Sequence, residues 1–187
     1  MSVPFTDLFG GIDKEMFCYN PHQFVAQTVT MNEQLAVETL RQRYRSNDFE
    51  QARYLICVGD EYGKENFVRF MVRVRAIFKA GGATVEIRKK LEVRTASGHF
   101  LSEPTYHLQH KQTRRCVIEP RLAPLTLGTA MPKFYLVSSS DSLRASLQRH
   151  FETTWAKANP VDLNSLLMKW EQGDEAEATI RNLIVSS

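Results

Sequence analysis

The stretch TYHLQHKQTRRC, residues 105–116, gathers His107, His110, Lys111, Arg114, Arg115 and Cys116 into twelve positions. Metal binding is the first chemistry to weigh. On a helix, His107 and His110, three residues apart, share a face and can hold one ion. On a strand the odd offset sends them to opposite faces. The flanking Thr105 and Tyr106, the approach to CVIE and the repulsion of a cation by Lys111, Arg114 and Arg115 favour the strand and disfavour a metal. Nucleophilic chemistry needs a thiolate with a base. Cys116 sits beside two arginines that lower a thiol pKa, and His107 or His110 serves as base only if a hairpin returns it alongside. A buried strand cysteine is the simpler reading of Cys116, and Cys57 lies within an apolar run as a core thiol.

Phosphate chemistry leaves weaker traces. GDEYGKE (59–65) contains Gly-Lys but lacks the spacer and the Ser/Thr of a P-loop. No GxGxxG occurs, and the mid-chain acids sit among basic residues as salt-bridge partners. The succession RYLICVG, a helix, GGATVEIR and a late FYLV…LRASLQRHFETTW resembles the layout of phospholipase-D-like domains. That resemblance implies a His and a Lys two apart with an Asp further on. Here His110 and Lys111 are adjacent, and no Asp lies between Asp60 and Asp141. The resemblance therefore stops at layout, and no family is assigned.

Anion recognition remains. Residues 69–121 hold twelve Lys/Arg against four Glu (86, 92, 103, 119), a balance of +8, within a chain of net charge +3, so the remainder sums to −5. Such asymmetry points to an anionic partner for the middle of the chain, set against solvated basic strands that discourage edge aggregation. Arg88, Lys90 and Arg94 share one face of an alternating strand TVEIRKKLEVR (84–94), on which Lys89 alone breaks the alternation. Tyr106, His107 and His110 add flat groups beside Lys111, Arg114 and Arg115, a mixture suited to phosphates and bases.

The elements that must position these residues follow from period and punctuation. The chain has 187 residues, 43% apolar and 24% charged, enough for a core in one domain. Residues 1–22 read as an irregular arm and 23–29 as a strand, and TMNE (30–33) caps a helix that ends near 45–48. RYLICVG (53–59) reads as a buried strand, and a helix over 64–79 stops at Gly81 and Gly82. After strand 84–94, a turn at 96–98 precedes strands over 99–111, 116–119 and 133–139. A helix with Leu143, Leu147, Phe151 and Trp155 runs to Asn159-Pro160. Two further helices close the chain, one with Leu163, Leu166, Leu167 and Trp170, the other acidic from Asp174 to Val185. The order predicts an α+β fold. Its mixed sheet has an early β-α-β-α unit and a central antiparallel meander, with helices mainly on one face. The domain spans 23–160, with 161–187 as a helical appendage.

Three cysteines without CxxC spacing, no basic-apolar leader and no long apolar run indicate a reducing, cytoplasmic setting. The leading reading is a non-enzymatic module that engages nucleic acid or another polyanion through residues 84–115, with no cofactor or metal. The alternative is an assembly subunit docking through Trp155, Leu163, Leu167 and Trp170, with the acidic segment 171–177 shielding the basic face or contacting it in another subunit. Last comes a small phosphodiester-cleaving enzyme built on His107, His110 and Lys111.

Overall fold

The run QARYLIC places Ala52, Tyr54 and Ile56 on one side of its pleat and buried Leu55 and Cys57 beyond Gln51 and Arg53 on the other, and it becomes β2 (Gln51–Cys57), a strand covered on both faces. The computed structural model describes residues 15–19, 38, 41, 42, 44–46, 50–79, 88–97, 105–110, 113–118, 136–173 and 177–185. Around β2 stand β1 (Glu15–Tyr19), β3 (Leu91–Ala96), β4 (Thr105–His110), β5 (Thr113–Ile118), β6 (Leu136–Ser138) and β7 (Asn159–Pro160). Among the described residues they form a seven-stranded mixed sheet in the order β6-β5-β4-β1-β2-β3-β7. β1, β2 and β3 are parallel neighbours, and the other pairings are antiparallel. This is the α+β architecture expected from the sequence, with parallel strands early and an antiparallel meander after them.

The helices divide by face. Helical positions 38, 41, 42, 44 and 45 mark α1; α2 is Glu61–Lys79, α3 Asp141–Trp155, α4 Leu163–Glu171 and α5 Glu177–Val185. Ala52, Tyr54, Ile56, Leu91 and Val93 share the main core with Tyr44 of α1, Phe67, Phe70, Met71 and Val74 of α2, Leu163, Leu166, Leu167 and Trp170 of α4, and Ile180 of α5. On the opposite face Leu55 packs with Phe151 and Trp155 of α3 and with Ala158. Each fully buried Phe, Ile or Leu contributes about 1.5–3 kcal/mol relative to exposure.

α2 begins abruptly. The Asp60 carboxylate accepts from the Gly63 amide at 2.7 Å and caps the helix. A Cβ on Gly63 would lie 2.0 Å from the Cys57 carbonyl oxygen, and one on Gly59 would lie 2.1 Å from that of Ser97. The glycines of GDEYGKE thus let a helix start and a strand end meet in contact.

Four expectations change. Residues 88–90 are helical and the strand begins only at Leu91, so Arg88 and Lys90 do not line a strand face with Arg94. Lys89, which broke the alternation, marked that boundary. Residues 15–19, within the presumed arm, form β1 between β4 and β2. The segment from 161 onward is no appendage: Val161 N–H donates to the Val93 carbonyl at 2.9 Å, and α4 and α5 complete the main core. Trp155, Leu163, Leu167 and Trp170 are consequently buried rather than available for docking. The strand expected at 23–29, the capping box at 30–33 and the turn at 98 lie outside the described residues.

Candidate nucleic-acid interface

β4 and β5 pair through six Cα partners, from Thr105↔Ile118 to His110↔Thr113. Lys111 and Gln112 join them and lie outside the described residues. Between Pro104 and Ile118 the sequence contains no acidic residue, while Lys111, Arg114 and Arg115 supply three cations. β1 pairs with β4 only as far as Leu108, and β6 pairs with β5 only from Cys116. Among the described residues, the pairs Gln109↔Arg114 and His110↔Thr113 therefore lie beyond the last pairing of either neighbour.

Strand directions bring the other basic residues to the same end. β4 runs antiparallel to β1, so its C-terminus lies where β1, β2 and β3 begin. There the chain presents exposed Arg45 at the end of α1, then Arg88, Lys89 and Lys90 directly before β3. β5 and β3 are four strand spacings apart in the sheet order, about 19 Å at ~4.8 Å each. The cations thus gather at one end of the sheet instead of on one face. The charge along this end is uneven. Glu50 and Glu92 sit at the β2–β3 side, Gln51 donates to Glu92 at 2.6 Å, and Arg88 lies 3.2 Å from Glu171 of α4.

Two residues expected at the site have other work. Lys90 Nζ donates to the carbonyls of Tyr44 at 2.9 Å and Ser46 at 2.7 Å, closing the C-terminal end of α1. Arg94 donates from Nη1 to the Trp155 carbonyl at 2.9 Å and stacks 4.7 Å from that ring's centre, closing α3. On the other side, Arg53 lies 5.2 Å from the Phe151 ring and 5.3 Å from Trp155, while both its terminal nitrogens reach the Glu152 carboxylate. These contacts anchor α3 to the sheet.

Arg114 is exposed on β5, facing Gln109 in the register, and Arg115 faces Leu108. Tyr106, opposite Val117, and His110 occupy even positions of β4, whereas His107 lies on the alternate face opposite Cys116. The strand thus separates the two histidines, as its period predicted. No group of three His, Cys, Asp or Glu able to hold a metal occurs among the described residues. The hairpin does return His107 beside Cys116. That thiol, however, is 1% exposed, and burial pushes its pKa up to about 11. It stays protonated at neutral pH and makes no ready nucleophile.

Sequence reasoning overlooked Arg53, Arg45 and the exposed position of Lys89. Arg45 and Lys89 carried a signal, since basic residues favour helix C-terminal turns. Arg53 carried none, because its aromatic partners lie about a hundred residues away in sequence.

No protein-family model matches the chain, and comparison with curated proteins finds no match. Among solved structures it is similar to TrmBL2, an archaeal chromatin protein described as showing a novel mode of DNA binding. The two are 13% identical with a TM-score of 0.45, over 83% of this chain and 48% of that one. The chain spans about half the length of that protein.

Proposed function

We propose that this protein is a non-enzymatic binding module that engages nucleic acid, or another polyanion, through the basic end of its sheet. The β4–β5 hairpin is its centre, with Tyr106, His107, His110, Lys111, Arg114 and Arg115 as the site residues and Arg88 and Lys89 as a second contact. The hairpin's sequence supports the reading: Lys111, Arg114 and Arg115 fall within five positions, and no Asp or Glu occurs between Pro104 and Ile118. A cluster of that kind attracts phosphates and releases their counterions. Lys90 and Arg94 act as positioning residues that hold α1 and α3. No described helix is long and apolar enough to cross a membrane.

Fluorescence anisotropy with a labelled oligonucleotide tests this across a salt series. Replacing Lys111, Arg114 and Arg115 together with Ala should make the slope of log K against log salt shallower by about 2.7 if each meets one phosphate of a duplex. An unchanged slope with unchanged affinity refutes the site.

A further inference from the structure

The ion pair between Arg88 and Glu171 sets two roles of one guanidinium against each other. Resting on the polyanion reading above, we infer that this pair is an autoinhibitory contact. Glu171 occupies the place at Arg88 that a phosphate of the polyanion takes, and binding exchanges one for the other. Arg88 Nη2 lies 3.2 Å from Glu171 Oε2. Both side chains are open to water, Arg88 at 34% and Glu171 at 47% of full exposure, so an incoming polyanion reaches the pair.

The carboxylate is held in place from behind. Glu171 is the last residue of α4, whose Leu163, Leu166, Leu167 and Trp170 are all buried in the main core. That helix therefore delivers the first acid of the stretch 171–177 to the basic end of the sheet. The backbone beside the cation is anchored as well, because Lys90, two residues on, donates to the Tyr44 and Ser46 carbonyls at 2.9 and 2.7 Å. Two fixed elements thus meet through two long side chains, and the exchange needs only side-chain rotation.

An exposed ion pair is weak, since water and salt screen it and two flexible side chains must be held. That weakness suits a contact made to be exchanged. Glu171 offers one negative charge, whereas duplex DNA presents one phosphate charge per ~1.7 Å of its axis and outbids it. Glu92 supplies the comparison. It is also exposed at this end of the sheet, but it accepts from Gln51 at 2.6 Å and takes no part in the pair.

Fluorescence anisotropy on the full chain, with a labelled mixed-sequence DNA duplex, tests this through a double-mutant cycle. Glu171→Gln should tighten binding about 1.5- to 5-fold at low salt, the range of an exposed ion pair, and the gain should fade as salt rises. With Arg88→Ala as background, that gain should shrink to the one given by Glu92→Gln, which removes an equal charge outside the pair. Arg88→Ala should in turn cost more affinity in the Glu171→Gln chain than in the wild type. Melting temperatures of the variants should stay within about 4 °C of the wild type, since the pair is exposed. An equal gain in both backgrounds shows simple repulsion of the duplex by Glu171 and overturns the inference, as does no gain or a loss. In either case weakened binding by the joint Lys111, Arg114 and Arg115 replacement leaves the polyanion reading standing. Binding by none of these chains overturns both.

Discussion

Replacing Lys90 by Met separates a structural lysine from a ligand-binding one. The aliphatic stem is kept, and the two hydrogen bonds to the Tyr44 and Ser46 carbonyls, at 2.9 and 2.7 Å, are removed. When well buried, hydrogen bonds to a charged group contribute about 1.5–3 kcal/mol each net of exchange with water. Lys90 is half-buried, so water reaches the vacated carbonyls and recovers part of that sum. The favourable interaction of a cation with a helix C-terminus adds about 0.3–1 kcal/mol. A net loss of about 1–3 kcal/mol is expected. A chain of this length melts about 2–4 °C lower for each kcal/mol, which gives a drop of about 2–12 °C in a circular-dichroism melt. The salt slope of oligonucleotide binding should stay at its wild-type value. An unchanged Tm together with a slope shallower by about 0.9 would show Lys90 contacting phosphate, and the capping assignment would be wrong.

Three further outcomes follow from the packing and the titration. Gly63→Ala places a methyl 2.0 Å from the Cys57 carbonyl, so despite the usual helix preference for Ala of about 1 kcal/mol it should lower the denaturation midpoint. Phe151→Ala removes a fully buried ring and one of the two aromatic partners of Arg53, and should cost about 3–5 kcal/mol in urea denaturation. Cys116 has its folded pKa raised from 9.0 to about 11, so the unfolded chain loses the proton first and stability falls as pH rises through that interval. The loss amounts to at most about 2.7 kcal/mol. Denaturation series for wild type and Cys116→Ala should diverge above pH 9, with the wild type falling faster; parallel curves would show the thiol ionising in the folded state.

Reading the sequence located the elements whose patterns are local. RYLICVG marked β2 because an unbroken apolar run fits a strand covered on both faces, and the stripe from Phe67 to Val74 marked α2. β1 escaped because EMFCY has only five residues, framed by Gly, Pro and Asn, and its position in the sheet depends on partners 36 and about 90 residues away. The basic character of 105–116 was plain from composition. Its convergence with Arg88 and Lys89 was not, because only the direction of β4 against β1 brings them to one end. Lys90 and Arg94 looked like surface cations, since nothing in their neighbourhood says that the ends of α1 and α3 arrive beside them.

The integration of the C-terminal helices has a consequence for synthesis. Leu163, Leu166, Leu167, Trp170 and Ile180 emerge from the ribosome after every strand, yet they sit in the same core as β2 and β3. Until they arrive, Tyr54, Ile56 and Val93 lack part of their cover, and the nascent chain carries an open apolar face. Contacts of such long sequence separation form slowly. A chaperone that shields hydrophobic surface would find its substrate there, and a translation stop near residue 160 would release a product destined for proteolysis instead of a smaller working domain.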